Sequence, residues 1–341
     1  MIKKLFKIAL WLLAVIVTGI AVIVIAFQVS PRPGAYLIGR MFNGPVKTTD
    51  TQTYNVAEKQ VTLTSYLPYT FMHQKNTYDL YMPKNTDKPL PVLIWAHGGG
   101  FVGGDKSGMK EFATRIAADA HIAVVAMNYE LAPNSHYPNQ VEQIDELVKQ
   151  LQKDSNSALN LNALFFGGDS AGSQIALQYA TVQTNPSYAK DIAMTPTVPT
   201  AIKGVISYCG PVDLKQTAQQ KSSSRAMQFF VKTVAWSLLG EKNWQTNPKL
   251  AQASLVNHVT KDFPPTYITD GNAYSFQEQG MALEKQLKNL SVPVTGLFYS
   301  NDKKEITHEY QFNYDTPEAK TCYDQTLSFL KQYMWQLETL T

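Results

Sequence analysis

The chain has 341 residues, 44% of them hydrophobic and 17% charged, with 30 lysines and arginines against 27 acids. That length suits one large α/β core with a modest insertion, and the composition excludes both a disordered chain and a wholly membrane-embedded one. The net charge of +3 is matched by Lys3, Lys4 and Lys7 alone, so the remainder is formally neutral and nucleic acid is not an expected partner.

Residues 8–27, IALWLLAVIVTGIAVIVIAF, run without a charge and as a helix would measure about 30 Å, the hydrocarbon thickness of a bilayer. A cleaved signal peptide has a shorter apolar run and a small-residue cleavage site, whereas QVSPRPG follows here. Residues 1–28 are therefore expected to form an uncleaved, single-pass anchor in the cell membrane. Lysines ahead of the run put the N-terminus inside and all that follows outside the cytoplasm. Residues 29–55, mixed in Pro, Gly and Thr, read as a stalk, and residues 56–341 as the folded domain.

From residue 76 onward strand and helix patterns alternate. NTYDLYMP and PVLIWAH read as strands, KEFATRIAADA as a helix and IAVVAMNY as a strand; in PNQVEQIDELVKQLQ, Val141, Ile144, Val148 and Leu151 recur with a helical period. Then come strand ALFFGG, helix SAGSQIALQYATVQ, strand IKGVISYCG, a long helical insertion, strand TYITD, a helix from about Ser275, strand VTGLFYS and a closing helix. This alternation predicts an α/β fold, a mostly parallel sheet with helices on both faces. Ligands bind such sheets beyond the carboxyl ends of the strands. Cys209 and Cys322 are the only cysteines and are expected as buried free thiols, because a core of this size needs no staple. No histidine pairs with another His or Cys at ligand spacing, so no metal is expected.

Gly168-Asp169-Ser170-Ala171-Gly172, between a strand and a helix, fits the glycine-x-serine-x-glycine elbow that lifts a nucleophilic hydroxyl above a sheet. HGGGF at 97–101 follows another strand. Its glycines let the backbone approach a ligand, so the N–H groups of Gly99 and Gly100, with that of Ala171, form a candidate oxyanion hole. A phosphate loop would need a Gly-Lys-Ser/Thr ending or a dinucleotide fingerprint, and HGGGF has neither. His97 reads as a brace for the loop. The general base should follow the last strand, where His308 lies.

These motifs, with YELAPNSHYP at 129–138, FPPTYI at 263–268 and the pair His308 and Phe312, resemble the hormone-sensitive-lipase-like branch of the α/β-hydrolase family, which includes bacterial carboxylesterases. The resemblance covers residues 76–338 and implies the α/β-hydrolase fold, a small helical lid and hydrolysis of small-molecule esters through an acyl-serine, without metal or diffusible cofactor. Two positions depart from the pattern. Gln143 stands where the branch carries an acid, and Tyr274 stands where its catalytic aspartate falls.

Any carboxylate that reaches the second ring nitrogen of the histidine can orient it. Asp270, at the end of its strand, is the first candidate; Glu278, in a Ser275-x-x-Glu278 capping-box pattern, is the alternative; Asp302 and Glu305 lie in the histidine's own loop. Asp213 reads as a loop brace. The insertion, about residues 214–262, contains RAMQFFVKTVAWSLLG, apolar almost all round. It reads as the lid and pocket wall, or else as a segment packed on the bilayer beside the anchor. A serine esterase is thus expected, with a non-catalytic binding protein of the same fold, prompted by Tyr274, and a serine peptidase as the rivals.

Overall fold

The computed structural model describes residues 2–44, 47–69, 76–220 and 222–338. In chain order it contains α1 (Ile2–Val29), α2 (Arg32–Phe42), α3 (Thr51–Glu58), β1 (Val61–Pro68), β2 (Thr77–Pro83), β3 (Leu90–Ala96), α4 (Lys110–Ala120), β4 (Ala123–Met127), α5 (Asn139–Asp154), β5 (Leu159–Asp169), α6 (Ala171–Thr184) and α7 (Pro186–Asp191). The second half adds β6 (Ile202–Tyr208), α8 (Leu214–Gln219), α9 (Arg225–Leu239), α10 (Lys249–Gln252), β7 (Thr266–Asp270), α11 (Gln277–Asn289), β8 (Val294–Phe298) and α12 (Pro317–Glu338). The sheet order is β1-β2-β4-β3-β5-β6-β7-β8. Strands β3 to β8 run parallel, while β2 is antiparallel to both β1 and β4. This is the α/β-hydrolase fold.

Strands β3 and β4 are apolar at every position because both faces are covered. On β3, Val92, Ile94 and Ala96 join the core shared with Ile144 and Val148 of α5 and Ile175 of α6, whereas Leu93 and Trp95 join Phe112 and Ile116 of α4 and Leu330 of α12. Edge strand β1 exposes most of its side chains and shifts register between Thr64 and Leu67, which weakens its alternating signal. Cys209 and Cys322 are buried free thiols.

Helix α1 is long and apolar enough to cross a membrane, with a mean hydropathy of 3.0 over its best 18 residues and none of that window buried against the protein. The stretch read as a stalk departs from that expectation, since it holds two helices with packed faces. In α2, Gly34, Ala35, Ile38 and Gly39 are buried, and Ala35 and Ile38 form a cluster with Val102 and Ala132, against which Phe230 and Val234 of α9 pack. Helix α3 is capped by Asp50, whose carboxylate accepts from the Thr53 N–H at 3.0 Å. The small residues that suggested a flexible tether are there to let α2 lie close to its neighbours. A Cβ on Gly34 would stand 2.8 Å from Thr233 Cγ2, and one on Gly39 would stand 2.7 Å from the Val102 carbonyl oxygen.

Gln143, in the position of the missing acid, is fully buried. Its Oε1 accepts from the Glu130 N–H at 2.6 Å and from Asn76 Nδ2 at 3.0 Å, and its Nε2 donates to the Asn139 carbonyl at 3.0 Å. The amide spends its acceptor and a donor on the Tyr129–Pro138 segment and its support, which leaves no charge to compensate.

Candidate active site

β5 ends at Asp169 and α6 starts at Ala171, leaving Ser170 alone in the turn at φ 48° and ψ −118°. Such a backbone is costly for a residue with a side chain and persists only where the surroundings fix it. Here the Ser170 N–H donates to the Tyr208 carbonyl at 2.8 Å. The flanking glycines serve close approach. A Cβ on Gly172 would lie 2.0 Å from the Ala96 carbonyl oxygen, and one on Gly168 would lie 2.3 Å from the Gly172 carbonyl carbon.

The loop after β3 turns on Gly99 and Gly100, at φ +117° and +59°. His97 braces it: its Nδ1–H donates to the Gly98 carbonyl at 2.6 Å, and its ring stacks on Tyr129 at 4.6 Å between centroids. The Tyr129 hydroxyl donates to the His97 carbonyl at 2.9 Å. Burial pushes the His97 imidazole below its usual pKa, so it stays neutral and cannot add charge to the loop. Among the described residues, nothing accepts from the backbone N–H groups of Gly99, Gly100 and Ala171. Unclaimed donors beside a nucleophile are what a developing oxyanion requires.

His308 sits in the loop after β8, held by its own N–H to the Ala273 carbonyl at 3.1 Å and by the Phe276 ring, edge-on at 5.6 Å. The Ser170 hydroxyl stands 2.9 Å from His308 Nε2, placed to donate to it. Asp270 is buried at the end of β7. Its Oδ1 accepts from the Gly271 N–H at 2.8 Å and its Oδ2 from the Phe276 N–H at 2.7 Å, and Oδ1 lies 3.8 Å from His308 Nδ1. That separation is an ion-pair distance rather than a hydrogen bond.

Tyr274 is 80% exposed with φ 53°, turned away into solvent. Glu278 lies in the first turn of α11, but the helix begins at Gln277 and its N-cap, Phe276, makes no side-chain cap, so the Ser275-x-x-Glu278 capping box does not form. The reason is Asp270, whose Oδ2 already takes the Phe276 N–H and fixes the entry to the helix. Asp302 and Glu305 are exposed. Asp213 caps α8 through the Gln216 N–H at 2.9 Å and accepts from the Ser254 hydroxyl at 2.5 Å.

Two carboxylates that motif reading passes over complete the site. Asp169 occupies the variable position of the elbow, yet it is buried and ties the elbow to the glycine loop by accepting from Trp95 Nε1 at 2.8 Å and from the Gly98 N–H at 2.7 Å. A Cβ on Gly98 would stand 2.3 Å from Asp169 Oδ2 and 2.9 Å from Glu309 Oε1, so the two carboxylates flank one point of the loop. Burial, followed by the charge of Glu309, pushes Asp169 up to about 7. Burial drives His308 down, but Asp270, Glu309 and Asp169 together outweigh it, and its pKa lies above the usual value. The only signal for Asp169 in the sequence was a charge closing an apolar strand. Cys209 Sγ, an Asp270 oxygen and a His308 nitrogen also lie within 4.8 Å of one another, a spacing at which a soft cation would compete for the imidazole.

Helix α9, within the insertion read as a lid, packs against the glycine loop. A Cβ on Gly100 would stand 3.2 Å from Phe230 Cζ. A cavity of about 870 Å³ lies between segment 216–245 and the loop before α11, lined by Met227, Phe230, Trp244, Tyr274, Phe276 and several glutamines. Two of its lining residues touch the site: the Phe276 ring packs on His308, and Phe230 lies against Gly100.

Comparison with known proteins is consistent with this geometry. The family model described as BD-FAE matches residues 78–287. An alpha/beta hydrolase of Acanthamoeba polyphaga mimivirus is 27% identical over 218 residues, 62% of this chain and 59% of that protein. The versiconal hemiacetal acetate esterase of Dothistroma septosporum is 25% identical over 284 residues, 77% of this chain and 80% of that protein. The chain spans less than two thirds of the length of the mimivirus protein and of two further relatives, 59%, 37% and 64%. Among solved structures, inhibited esterase B from Lactobacillus rhamnosis superposes with a TM-score of 0.68 at 20% identity, covering 83% of this chain and 90% of that one.

Proposed function

Because the chain belongs to the BD-FAE family, we propose that it is a serine carboxylesterase of the hormone-sensitive-lipase-like type, anchored by α1 with its catalytic domain outside the cytoplasm. The observation that carries this reading is the 2.9 Å approach of Ser170 Oγ to His308 Nε2, two groups that must exchange a proton. Ser170 attacks the ester carbonyl as His308 takes its proton. The N–H groups of Gly99, Gly100 and Ala171 receive the oxyanion, and the imidazolium then protonates the departing alcohol. Water, activated by the same imidazole, releases the acid from the acyl-serine. Asp270 supports the imidazolium that forms in both halves. The lid, residues 214–262, closes the acyl and alcohol pocket, whose volume suits a small ester.

Full-length protein assayed with p-nitrophenyl acetate and butyrate, beside Ser170→Ala, tests the chemistry, and peptide substrates test the peptidase alternative. Turnover that persists in Ser170→Ala would exclude the mechanism. A second reading, a binding protein of the same fold without activity, draws support from the 3.8 Å gap between His308 and Asp270. It predicts no ester turnover with an intact fold. Anchoring is tested by fractionation: an uncleaved α1 keeps the full-length chain with the membrane until detergent is added.

A further inference from the structure

Charge along the folded part of the chain is neutral only in sum. Segments 30–49 and 214–250, which contain α2, α8, α9 and the start of α10, hold nine lysines and arginines and a single acid, Glu241. The rest of the chain after residue 29 holds 18 basic residues against 26 acids. The excess of cations lies next to the end of α1. The Phe27 ring is 6.3 Å from that of Phe229 on α9, and Lys242 Nζ donates to the Gln28 carbonyl at 2.6 Å.

Apolar side chains share that face. Helix α2 turns Ala35 and Ile38 toward the lid and leaves Tyr36, Leu37 and Met41 outward, 66%, 51% and 78% exposed. Helix α9 buries Trp236, Leu238 and Leu239 near its C-terminus, while Met227 and Phe229 near its start are about two fifths exposed, at 39% and 40%. Arg40, Arg225 and Lys232 stand exposed among them. Outward aromatic and aliphatic groups flanked by cations describe a helix that lies in a bilayer interface. Each cation near an anionic leaflet contributes about 1 kcal/mol, roughly a factor of five in occupancy.

We propose that α2 and the outer half of α9 rest on an anionic lipid surface beside α1, and that the cavity beneath the lid takes esters that reside in that leaflet. This rests on reading α1 as an anchor and Ser170 as the nucleophile. Residues of α9 form both surfaces: Phe230 and Val231 line the cavity, Phe229 does not, and Met227 and Lys232 are both exposed and cavity-lining. An ester diffusing laterally would reach the lid without crossing bulk water. The cation-rich segment 214–250 supplies most of the cavity lining, so the proposed docking surface and the cavity share α9.

The test uses the full-length chain carrying Met41→Cys labelled with a polarity-sensitive dye, since Cys209 and Cys322 are buried. It is reconstituted in phosphatidylcholine vesicles with and without phosphatidylglycerol. Docking predicts a blue shift on adding phosphatidylglycerol, and Arg40→Gln with Arg225→Gln should cut the docked-to-undocked ratio roughly 25-fold. Hydrolysis of diacylglycerol carried in the vesicles should fall in parallel, with p-nitrophenyl acetate turnover unchanged. Turnover of p-nitrophenyl acetate with a dye blind to phosphatidylglycerol would overturn the proposal, as would diacylglycerol hydrolysis indifferent to lipid charge. A shift that follows protein concentration in neutral vesicles would make the face an interface between copies and also overturn it. Loss of turnover on both esters would instead refute the esterase reading, and the dye would still decide the docking.

Discussion

His308 presents its two ring nitrogens unequally: Nε2 is 2.9 Å from Ser170 Oγ, whereas Nδ1 is 3.8 Å from Asp270 Oδ1 and has no hydrogen-bond partner. Hydrogen bonds of this kind are often long before substrate binds and shorten in the reacting complex. Asp270→Asn is therefore expected to lower kcat by about 10⁴, the usual loss when the imidazole is left in the wrong tautomer. Glu278→Gln should cost about tenfold or less. Steady-state kinetics on p-nitrophenyl butyrate compares the two directly, and the reverse ranking would move the role to Glu278.

The carboxylates around His308 set its pH dependence. His308 must be neutral to accept the serine proton, so kcat/KM falls as pH drops through its pKa, which lies above the ordinary 6.5. Removing one of the three charges that raise it, by Glu309→Gln, should move this acid limb to lower pH while leaving the plateau nearly unchanged. A pH profile of kcat/KM for the two proteins reads the shift.

Stability carries a second signature of the same pair. Asp169 is raised from 3.8 to about 7 in the folded protein, so the folded state holds that proton more tightly. Its contribution is fully present below pH 3.8 and is lost as pH rises toward 7. Glu309→Gln lowers the folded pKa of Asp169 and should flatten this decline, as measured by urea unfolding at a series of pH values.

Close approach at the elbow predicts a sharp contrast between two glycines. Gly172→Ala drives a methyl to 2.0 Å from the Ala96 carbonyl and should destabilise the fold by about 3 kcal/mol, the upper end of overpacking costs. Gly108→Ala meets nothing within 4 Å and should stay within about 0.5 kcal/mol of the parent. Denaturant midpoints settle both.

Gln143→Leu removes the acceptor for two buried or partly buried donors, the Glu130 N–H and Asn76 Nδ2. Unsatisfied donors cost about 1–3 kcal/mol each, so the melting temperature should fall while the activity that remains keeps its pH profile.

What the sequence made legible followed from strong periodicity and from glycine. Alternating apolar strands and helical repeats such as Val141, Ile144 and Val148 announce the parallel sheet because each element buries a fixed face. The paired glycines at 168 and 172 announce a tight turn because no other residue fits. Ser170 and His308 come together across 138 positions because both occupy loops at the carboxyl edge of neighbouring parts of one sheet. The segment 29–55 was not legible as helical, since Pro31, Pro33, Gly34 and Gly39 look like tether composition until their partners on α9 and at Val102 are known. Strand β1 escaped notice because an edge strand buries little. Asp169 and Glu309 were hidden for another reason, since a carboxylate's effect depends on which charges the fold sets beside it.

The contact of Gly39 with Val102 and Gly103 gives the N-terminal region a mechanical part in the body of the protein. Starting the protein at residue 30 would discard the span and its contacts from Phe27 to Phe229 and from Gln28 to Lys242. Cutting at residue 43 would also strip a wedge that props the glycine loop from behind and α9 from the side, so the smallest intact fold begins before α2.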